Sequence, residues 1–185
     1  VYSKPRTSPY YEGYDPIANP YIHFPEVGNV HKDMLGKMTD NVLIEINALS
    51  DSLPATVDMA FDGKGKTFAS PEMLIIDTNN VGLHAEKLMF DPKAIYRRFD
   101  FVQINVLPQF RKNRSDLRSG IDSNKSFNSK RDFLDKYSFK VLSYVEKSKG
   151  NGELKVSHTF YKLADYQNFL FNRMNNHMKN QFKSR

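Results

Sequence analysis

The sequence predicts a mainly β protein of the α+β class: an antiparallel sheet, sandwich or barrel with a long C-terminal helix and an extended N-terminal arm. Three observations support this fold class. Segments of alternating apolar and polar residues recur roughly every 8 to 12 residues with turn residues between them, as in antiparallel β proteins. Strands and helices do not alternate as they do around a parallel, doubly wound sheet. The hydrophobic period changes to that of a helix only near the C-terminus.

An N-terminal arm is predicted over residues 1–27, which contain five of the nine prolines and five of the ten tyrosines. Proline at this density prevents helices and interior strands, so we expect an extended segment. Tyrosine combines a large apolar face with a hydroxyl group and is common at protein interfaces. We therefore expect the arm to dock on another protein; packing on its own domain or a flexible tail are the alternatives. The predicted docking residues are Tyr2, Tyr10, Tyr11, Tyr14 and Tyr21.

Residues 28–185 are predicted to form a single β-rich domain that begins with a short helix over residues 30–39. Runs of β-branched and aromatic residues, separated by Gly, Pro, Asn and Asp, predict the strands. These strands are residues 41–49, 56–61, 66–69, 73–77, 81–90 and 99–107.

A β-hairpin followed by a helix is the clearest pattern in the chain. Residues 137–141 and 154–161 alternate between apolar and polar, and residues 147–152 between them have the composition of a turn. Apolar residues then recur with helical spacing, which predicts a C-terminal helix at about residues 164–182. Its expected apolar face comprises Leu163, Tyr166, Leu170, Met174 and Met178.

The composition excludes some chemistry and permits several locations. The chain has no cysteine, which excludes disulfides, thiolate catalysis and cysteine-based metal sites. A reducing intracellular compartment, an organelle matrix or a virion would all suit such a chain. No run of about 18 apolar residues occurs, so no membrane span is predicted. The formal net charge of +6 permits an anionic partner.

A basic segment at residues 111–131 contains most of this charge, since its seven basic residues against two acidic ones give a net charge of +5. Its Ser, Asn and Gly content predicts a long loop with at most one helical turn, near residues 115–118, and loops of this length are usually functional or disordered. Arginine and lysine suit contact with phosphate groups, so the segment predicts a nucleic-acid contact; a solvated loop without a ligand is the alternative. The candidate residues are Arg111, Lys112, Arg114, Arg118, Lys125, Lys130 and Arg131.

The hairpin offers a second candidate surface for nucleic acid. Proteins that bind single strands combine a positive groove with aromatic side chains on which bases stack. Lys140, Tyr144 and Lys155 are expected to share one exposed face of the hairpin. If the other layers of the protein cover both faces, this surface is not available.

No motif in the sequence specifies a catalytic reaction, a cofactor or a metal. The phosphate-binding loop, the dinucleotide-binding fingerprint, the nucleophile elbow and the histidine spacing of a zinc site are all missing. Asp135, Glu153 and Lys155 loosely match the two carboxylates and lysine of metal-dependent nucleases, at a spacing that is common by chance.

These observations together predict a non-catalytic structural subunit of a larger protein or nucleoprotein assembly, such as a coat, organellar, phage or ribonucleoprotein component. Its expected partners are other protein subunits, in a homo- or hetero-oligomer, and RNA or single-stranded DNA. A free-standing protein that binds single-stranded nucleic acid is the alternative. A metal-dependent nuclease built on Asp135, Glu153 and Lys155 is the third possibility.

Overall fold

The computed structural model describes residues 1–5, 8–29, 41–51, 53–60, 64–89, 91–127, 132–148 and 151–183. The chain forms two compact units, residues 1–99 and residues 100–185. Helix and strand contents are nearly equal, at 30% and 28%, so the protein is a mixed α+β protein rather than a mainly β one. The long C-terminal helix and the presence of antiparallel sheets are confirmed. Closure of the sheets into a sandwich or barrel stays a prediction.

The first unit contains a three-stranded parallel sheet, a two-stranded antiparallel ribbon and three described helices. The elements are β1 (Tyr2–Ser3), β2 (Tyr21–Phe24), α1 (Asn41–Leu49), β3 (Ala55–Thr56), β4 (Phe68–Ala69), β5 (Met73–Ile76), α2 (Ala85–Leu88) and α3 (Lys93–Arg98). The parallel sheet has the order β1-β2-β5, whereas the sequence predicted only antiparallel pairing. The strands of this sheet are short, and β2 and β5 are far apart in sequence. The described residues of this unit therefore show no regular alternation of strands and helices.

Two predicted strands in this unit were wrong. Residues 41–49 form α1, in which Leu43, Ile46 and Leu49 are buried while Ile44 is 64% exposed. This short apolar run fits both periods, and burial at every third residue selects the helix. Of the strand predicted at 81–90, the described residues 81–89 do not form a strand either, because Leu83 and His84 adopt left-handed backbone conformations with φ of 56° before α2 begins.

The other predictions in this unit had mixed outcomes. The strand at residues 73–77 is confirmed as β5, and the segment at 66–69 pairs back as β4 with β3. The strand predicted at 56–61 forms only at its first residue, since β3 ends at Thr56 and residues 57–60 are not in a strand. The predicted helix at residues 30–39 lies outside the described residues.

The N-terminal segment packs on its own unit, which was the alternative to a docking arm. Tyr2, Tyr11 and Tyr14 are buried and their rings contact one another at centroid distances of 5.2 to 5.8 Å. The Lys4 ammonium lies 5.0 Å from the centre of the Tyr11 ring and 3.2 Å from Glu45 Oε2. The Tyr11 hydroxyl donates to Glu45 Oε1. This segment also supplies β1 and β2, so it is part of the unit's core and sheet.

The second unit consists of an antiparallel sheet and a long helix, largely as predicted. The elements are β6 (Phe101–Val106), a 3₁₀ helix (Pro108–Phe110), α4 (Ser123–Phe127), a second 3₁₀ helix (Phe133–Lys136), β7 (Tyr137–Ser148), β8 (Asn151–Phe160) and α5 (Leu163–Lys183). The sheet order is β6-β7-β8, and both pairs are antiparallel. The hairpin, the strand at 99–107 and the C-terminal helix are therefore confirmed.

The first turns of helix α5 pack on the sheet. Tyr166 stacks on Phe139 with ring centres 4.8 Å apart, and Phe169 lies 5.2 Å from Phe160. Asp135 Oδ1 accepts a hydrogen bond from the Leu163 backbone nitrogen at 3.0 Å and so caps the helix start. From Phe171 onward, the apolar side chains Phe171, Met174 and Met178 are exposed. The predicted apolar face is thus half-buried at Leu163, Tyr166 and Leu170 and exposed at Met174 and Met178.

The tyrosine cluster predicts a specific loss of stability at alkaline pH. Burial raises the pKa of the Tyr11 hydroxyl, and the hydrogen bond to Glu45 raises it further; burial also raises the pKa of Tyr2 and Tyr14. An unfolded tyrosine loses its proton near pH 10, whereas the folded group keeps it, so the free energy of unfolding falls above about pH 10. We expect a shallower fall for Tyr11→Phe than for the parent protein.

Urea denaturation between about pH 8 and pH 11 measures this slope. Tyr161→Phe is the matched control, because the Tyr161 ring is exposed, and this variant should follow the parent. Equal slopes for Tyr11→Phe and the parent would contradict the role of the buried hydroxyl.

Candidate nucleic-acid interface

The start of the basic segment forms an ordered loop, residues 111–122, which we call the basic loop. Arg111 and Ile121 form an antiparallel backbone bridge at its base. The Lys112 nitrogen donates to the Gly120 carbonyl at 3.1 Å, and the Asp122 nitrogen donates to the Phe110 carbonyl at 2.7 Å. These contacts close the two ends of the loop against each other. Backbone hydrogen bonds therefore hold the loop in one conformation, which a mobile solvated loop would not have.

Arg111 holds the base of the loop and does not face solvent. Its side chain is 5% exposed; Nε donates to the Val106 carbonyl at 2.7 Å and Nη1 to the Arg114 carbonyl at 3.4 Å. The Arg111 carbonyl accepts from Lys125 Nζ at 2.7 Å. Two of the predicted nucleic-acid residues, Arg111 and Lys125, thus have structural partners.

Both acidic residues of the loop are engaged within it. Asp116 Oδ1 accepts from the Arg118 backbone nitrogen at 2.9 Å. Asp122 Oδ1 accepts from the backbone nitrogen of Lys125 at 3.3 Å, and Asp122 Oδ2 lies 3.4 Å from Lys125 Nζ. The hydrogen bond from the Lys125 backbone, reinforced by the ammonium group, lowers the pKa of the Asp122 carboxyl group. The carboxylates therefore shape the turns, and neither forms an ion pair with Lys112, Arg114 or Arg118.

Lys112, Arg114 and Arg118 are the remaining cations of the loop. All three side chains are exposed, and none forms an ion pair within the described part of the chain. Leu117 is exposed beside Arg118. The result is a group of three solvent-facing cations on a hydrogen-bonded frame. Two further candidates, Lys130 and Arg131, lie outside the described residues.

The hairpin candidates do not all share a face. Lys140 and Tyr144 are four residues apart on β7 and lie on the same face of the strand. Lys155 pairs with Ser143, which places it on the opposite face, where its ammonium lies 3.1 Å from Glu153 Oε1. Hydrogen bonds from Lys147 and then Lys155 lower the pKa of the Glu153 carboxyl group. The predicted stacking surface is thus reduced to Lys140 and Tyr144, both half-buried.

The residues of the nuclease hypothesis lie far apart. Asp135 precedes β7 and caps α5, whereas Glu153 pairs with Val145 near the other end of the hairpin. The eight strand residues between Tyr137 and Val145 span roughly 26 Å at about 3.3 Å each. Asp135 and Glu153 therefore cannot bind one metal ion together, and this hypothesis was wrong. The described residues contain no group of three His, Asp or Glu side chains that could hold a metal.

The predicted docking tyrosines are also divided. Tyr2, Tyr11 and Tyr14 are buried in the first unit, Tyr21 is half-buried in β2, and Tyr10 is 41% exposed. The structure thus differs from the docking prediction at three of the five residues. The rings of Tyr2, Tyr11 and Tyr14 are buried within their own unit, so they are not available to a second protein.

An exposed phenylalanine beside the basic loop was not predicted from the sequence. Phe133, the first residue of the second 3₁₀ helix, is 57% exposed, and its ring lies 5.6 Å from that of Tyr137. The Lys136 ammonium lies 5.9 Å from the Phe133 ring centre and 6.0 Å from that of Phe110. In the sequence, residues 132–136 directly precede the predicted strand that begins at residue 137, and no periodic pattern indicates that Phe133 is exposed.

The interpretation of this surface rests on its geometry, because the sequence comparisons found no match. No protein-family model matches the chain, and no curated protein matches it in sequence. Among the helices that the structure describes, none has the length and apolar character needed to cross a membrane.

The hydrogen bonds of Arg111 predict that its loss loosens the basic loop. Arg111→Met keeps much of the buried apolar stem but removes the hydrogen bonds to the Val106 and Arg114 carbonyls. We expect a loss of about 1–3 kcal/mol in the free energy of unfolding. Urea denaturation measures the loss, and amide hydrogen exchange at Lys112 and Asp122 should become faster.

Arg114→Gln is the control for charge alone, because the Arg114 side chain is exposed. It should leave both the stability and the exchange rates nearly unchanged. Unchanged amide protection in Arg111→Met would show that the guanidinium does not hold the loop.

Proposed function

We propose that this protein is a non-catalytic structural subunit of a nucleoprotein assembly and that it contacts nucleic acid through the basic loop. The observation that supports the proposal is the group formed by Lys112, Arg114 and Arg118. These cations are exposed on an ordered loop, and neither carboxylate of the loop forms an ion pair with any of the three. Phosphate groups are the ligands that such a group suits best.

The order of the loop favours binding over a merely solvated surface. Immobilising long side chains and a flexible loop at an interface costs free energy, and a loop that is already fixed avoids part of that cost. Arginine can also donate two parallel hydrogen bonds to one phosphate. The backbone contacts at the base of the loop, from Arg111 to Asp122, thus support a preformed phosphate-binding surface.

The assembly part of the proposal has support from α5. Exposed apolar side chains that cluster on one surface commonly mark protein–protein contacts. Phe171, Met174 and Met178 are exposed on one face of α5. We propose that a second subunit covers this stretch, in place of the buried N-terminal tyrosines. The expected partners are other protein subunits together with RNA or single-stranded DNA.

A free-standing protein that binds single-stranded nucleic acid is the second candidate. The common face of Lys140 and Tyr144 favours it, because proteins that bind single strands combine cations and aromatic rings along one surface. A single-chain mass in solution, both with and without an oligonucleotide, would favour this candidate over an assembly subunit.

Phosphate contact through the basic loop predicts a change in salt dependence. Replacing Lys112, Arg114 and Arg118 with glutamine should weaken binding of a single-stranded oligonucleotide. The slope of log K against log salt is negative, and its magnitude should fall by about 2, since each phosphate contact contributes about 0.7. Fluorescence anisotropy of a labelled oligonucleotide across a salt series measures both effects.

The matched control replaces Lys64, Lys66 and Arg97 with glutamine, which changes the net charge equally but on the first unit. These side chains are exposed, and this variant should keep the parent's slope. An equal slope change in both variants would show a general charge effect and contradict a site at the loop.

The exposed stretch of α5 predicts a change in mass. We expect the parent to form an oligomer and the double variant Phe171→Lys, Met178→Lys to have the mass of one chain, because a buried lysine would oppose subunit contact. Light scattering after size-exclusion chromatography measures this mass. Asn172→Lys with Asn180→Lys adds the same charge at other exposed positions and should leave the oligomer intact. A single-chain mass for the parent would contradict the assembly proposal.

A further inference from the structure

We infer that Phe133 stacks on an unpaired base, so that the nucleic acid bound at the basic loop is single-stranded. This inference rests on the proposed function, since it assumes that the basic loop contacts the phosphate backbone. It identifies the residue that contacts a base and the class of nucleic acid that the protein binds.

The Phe133 ring is fixed in place and yet largely open to solvent. The Tyr137 ring supports it in an edge-to-face contact at 5.6 Å, and the Lys136 ammonium lies 5.9 Å from its centre. More than half of its surface remains exposed. A phenylalanine held in this way keeps a π surface available without the entropy cost of ordering it on binding.

The Phe133 ring belongs to the same packed block as the base of the basic loop. Lys136 is only 5% exposed, and its ammonium lies between the Phe133 and Phe110 rings. The Lys136 carbonyl accepts from the Leu107 nitrogen at 2.8 Å, and the Phe110 carbonyl accepts from the Asp122 nitrogen at 2.7 Å. Lys136 and Phe110 therefore link the exposed ring to the base of the loop.

The combination of these groups favours a single strand over a duplex. A backbone that lies along Lys112, Arg114 and Arg118 can turn its bases towards Phe133 only if they are unpaired. A base stacked on an aromatic side chain contributes about 1–3 kcal/mol, which corresponds to about 5- to 150-fold in affinity. A duplex keeps its bases stacked within the helix, so it would gain only the phosphate contacts. Single strands should thus bind more tightly than duplexes.

The chain contains no tryptophan, which makes a direct test possible. Phe133→Trp keeps an aromatic surface and introduces the only tryptophan, whose fluorescence reports stacking at this position. We expect the fluorescence to be quenched on addition of a 20-nucleotide oligothymidine or oligouridine. A duplex of the same length, and heparin as a polyanion without bases, should leave the fluorescence nearly unchanged.

Phe133→Leu supplies the affinity measurement. It should weaken binding of the single strand at least about 5-fold and leave the salt slope unchanged, because stacking involves no phosphate. Leu134→Ala is the matched control, since Leu134 is an exposed apolar neighbour in the same 3₁₀ helix but has no ring. It should bind like the parent.

The outcomes separate this inference from the proposed function. If the parent binds the single strand with a salt slope that depends on the loop, yet Phe133→Leu binds equally well, the stacking role is overturned and the loop contact remains. If the parent binds duplex as tightly as single strand, the preference for unpaired bases is overturned in the same way. If the parent binds no oligonucleotide at all, both proposals fail together.

Discussion

The burial of the Arg111 guanidinium at the end of β6 is the interaction on which the second unit's candidate interface depends. A buried cation without partners would be strongly destabilising, so the backbone must bring carbonyl groups to it. The Val106 and Arg114 carbonyls do so, and the Arg111 carbonyl in turn accepts from Lys125. The Arg111 side chain therefore ties the last residue of β6 to Arg114, and the Arg111 carbonyl ties the start of the loop to Lys125. These contacts fix the backbone that carries the exposed cations nearby.

The basic segment shows what sequence composition can and cannot predict about a site. Its charge was evident, and the structure does place a group of exposed cations there. The division between structural and exposed cations was not evident, because the partners of Arg111 and Lys125 include backbone carbonyls, and a carbonyl leaves no mark in the sequence. The same limit hid Phe133, since an isolated exposed ring belongs to no periodic pattern.

The fold was predictable where the periodicity was long and unambiguous. The β7–β8 hairpin and α5 each extend over ten or more residues, and both were predicted, α5 to within one residue at each end and β7 seven residues too short. Helix α1 is nine residues long and apolar at most positions, so its pattern fits a strand equally well. The parallel sheet was missed because β1, β2 and β5 have at most four residues each. The tyrosines correctly signalled burial, but sequence cannot tell whether the surface that buries them is internal.

The pairing of β2 with β5 has a consequence for the order in which the first unit can fold. About fifty residues separate Ile22 from its partner Leu74, so the central strand of the sheet has only β1 as a neighbour until that later segment has left the ribosome. The edge of β2 that pairs with β5 therefore has no native partner during this interval. The prolines that flank β2, Pro20 and Pro25, make the chain around this edge a poor template for premature pairing.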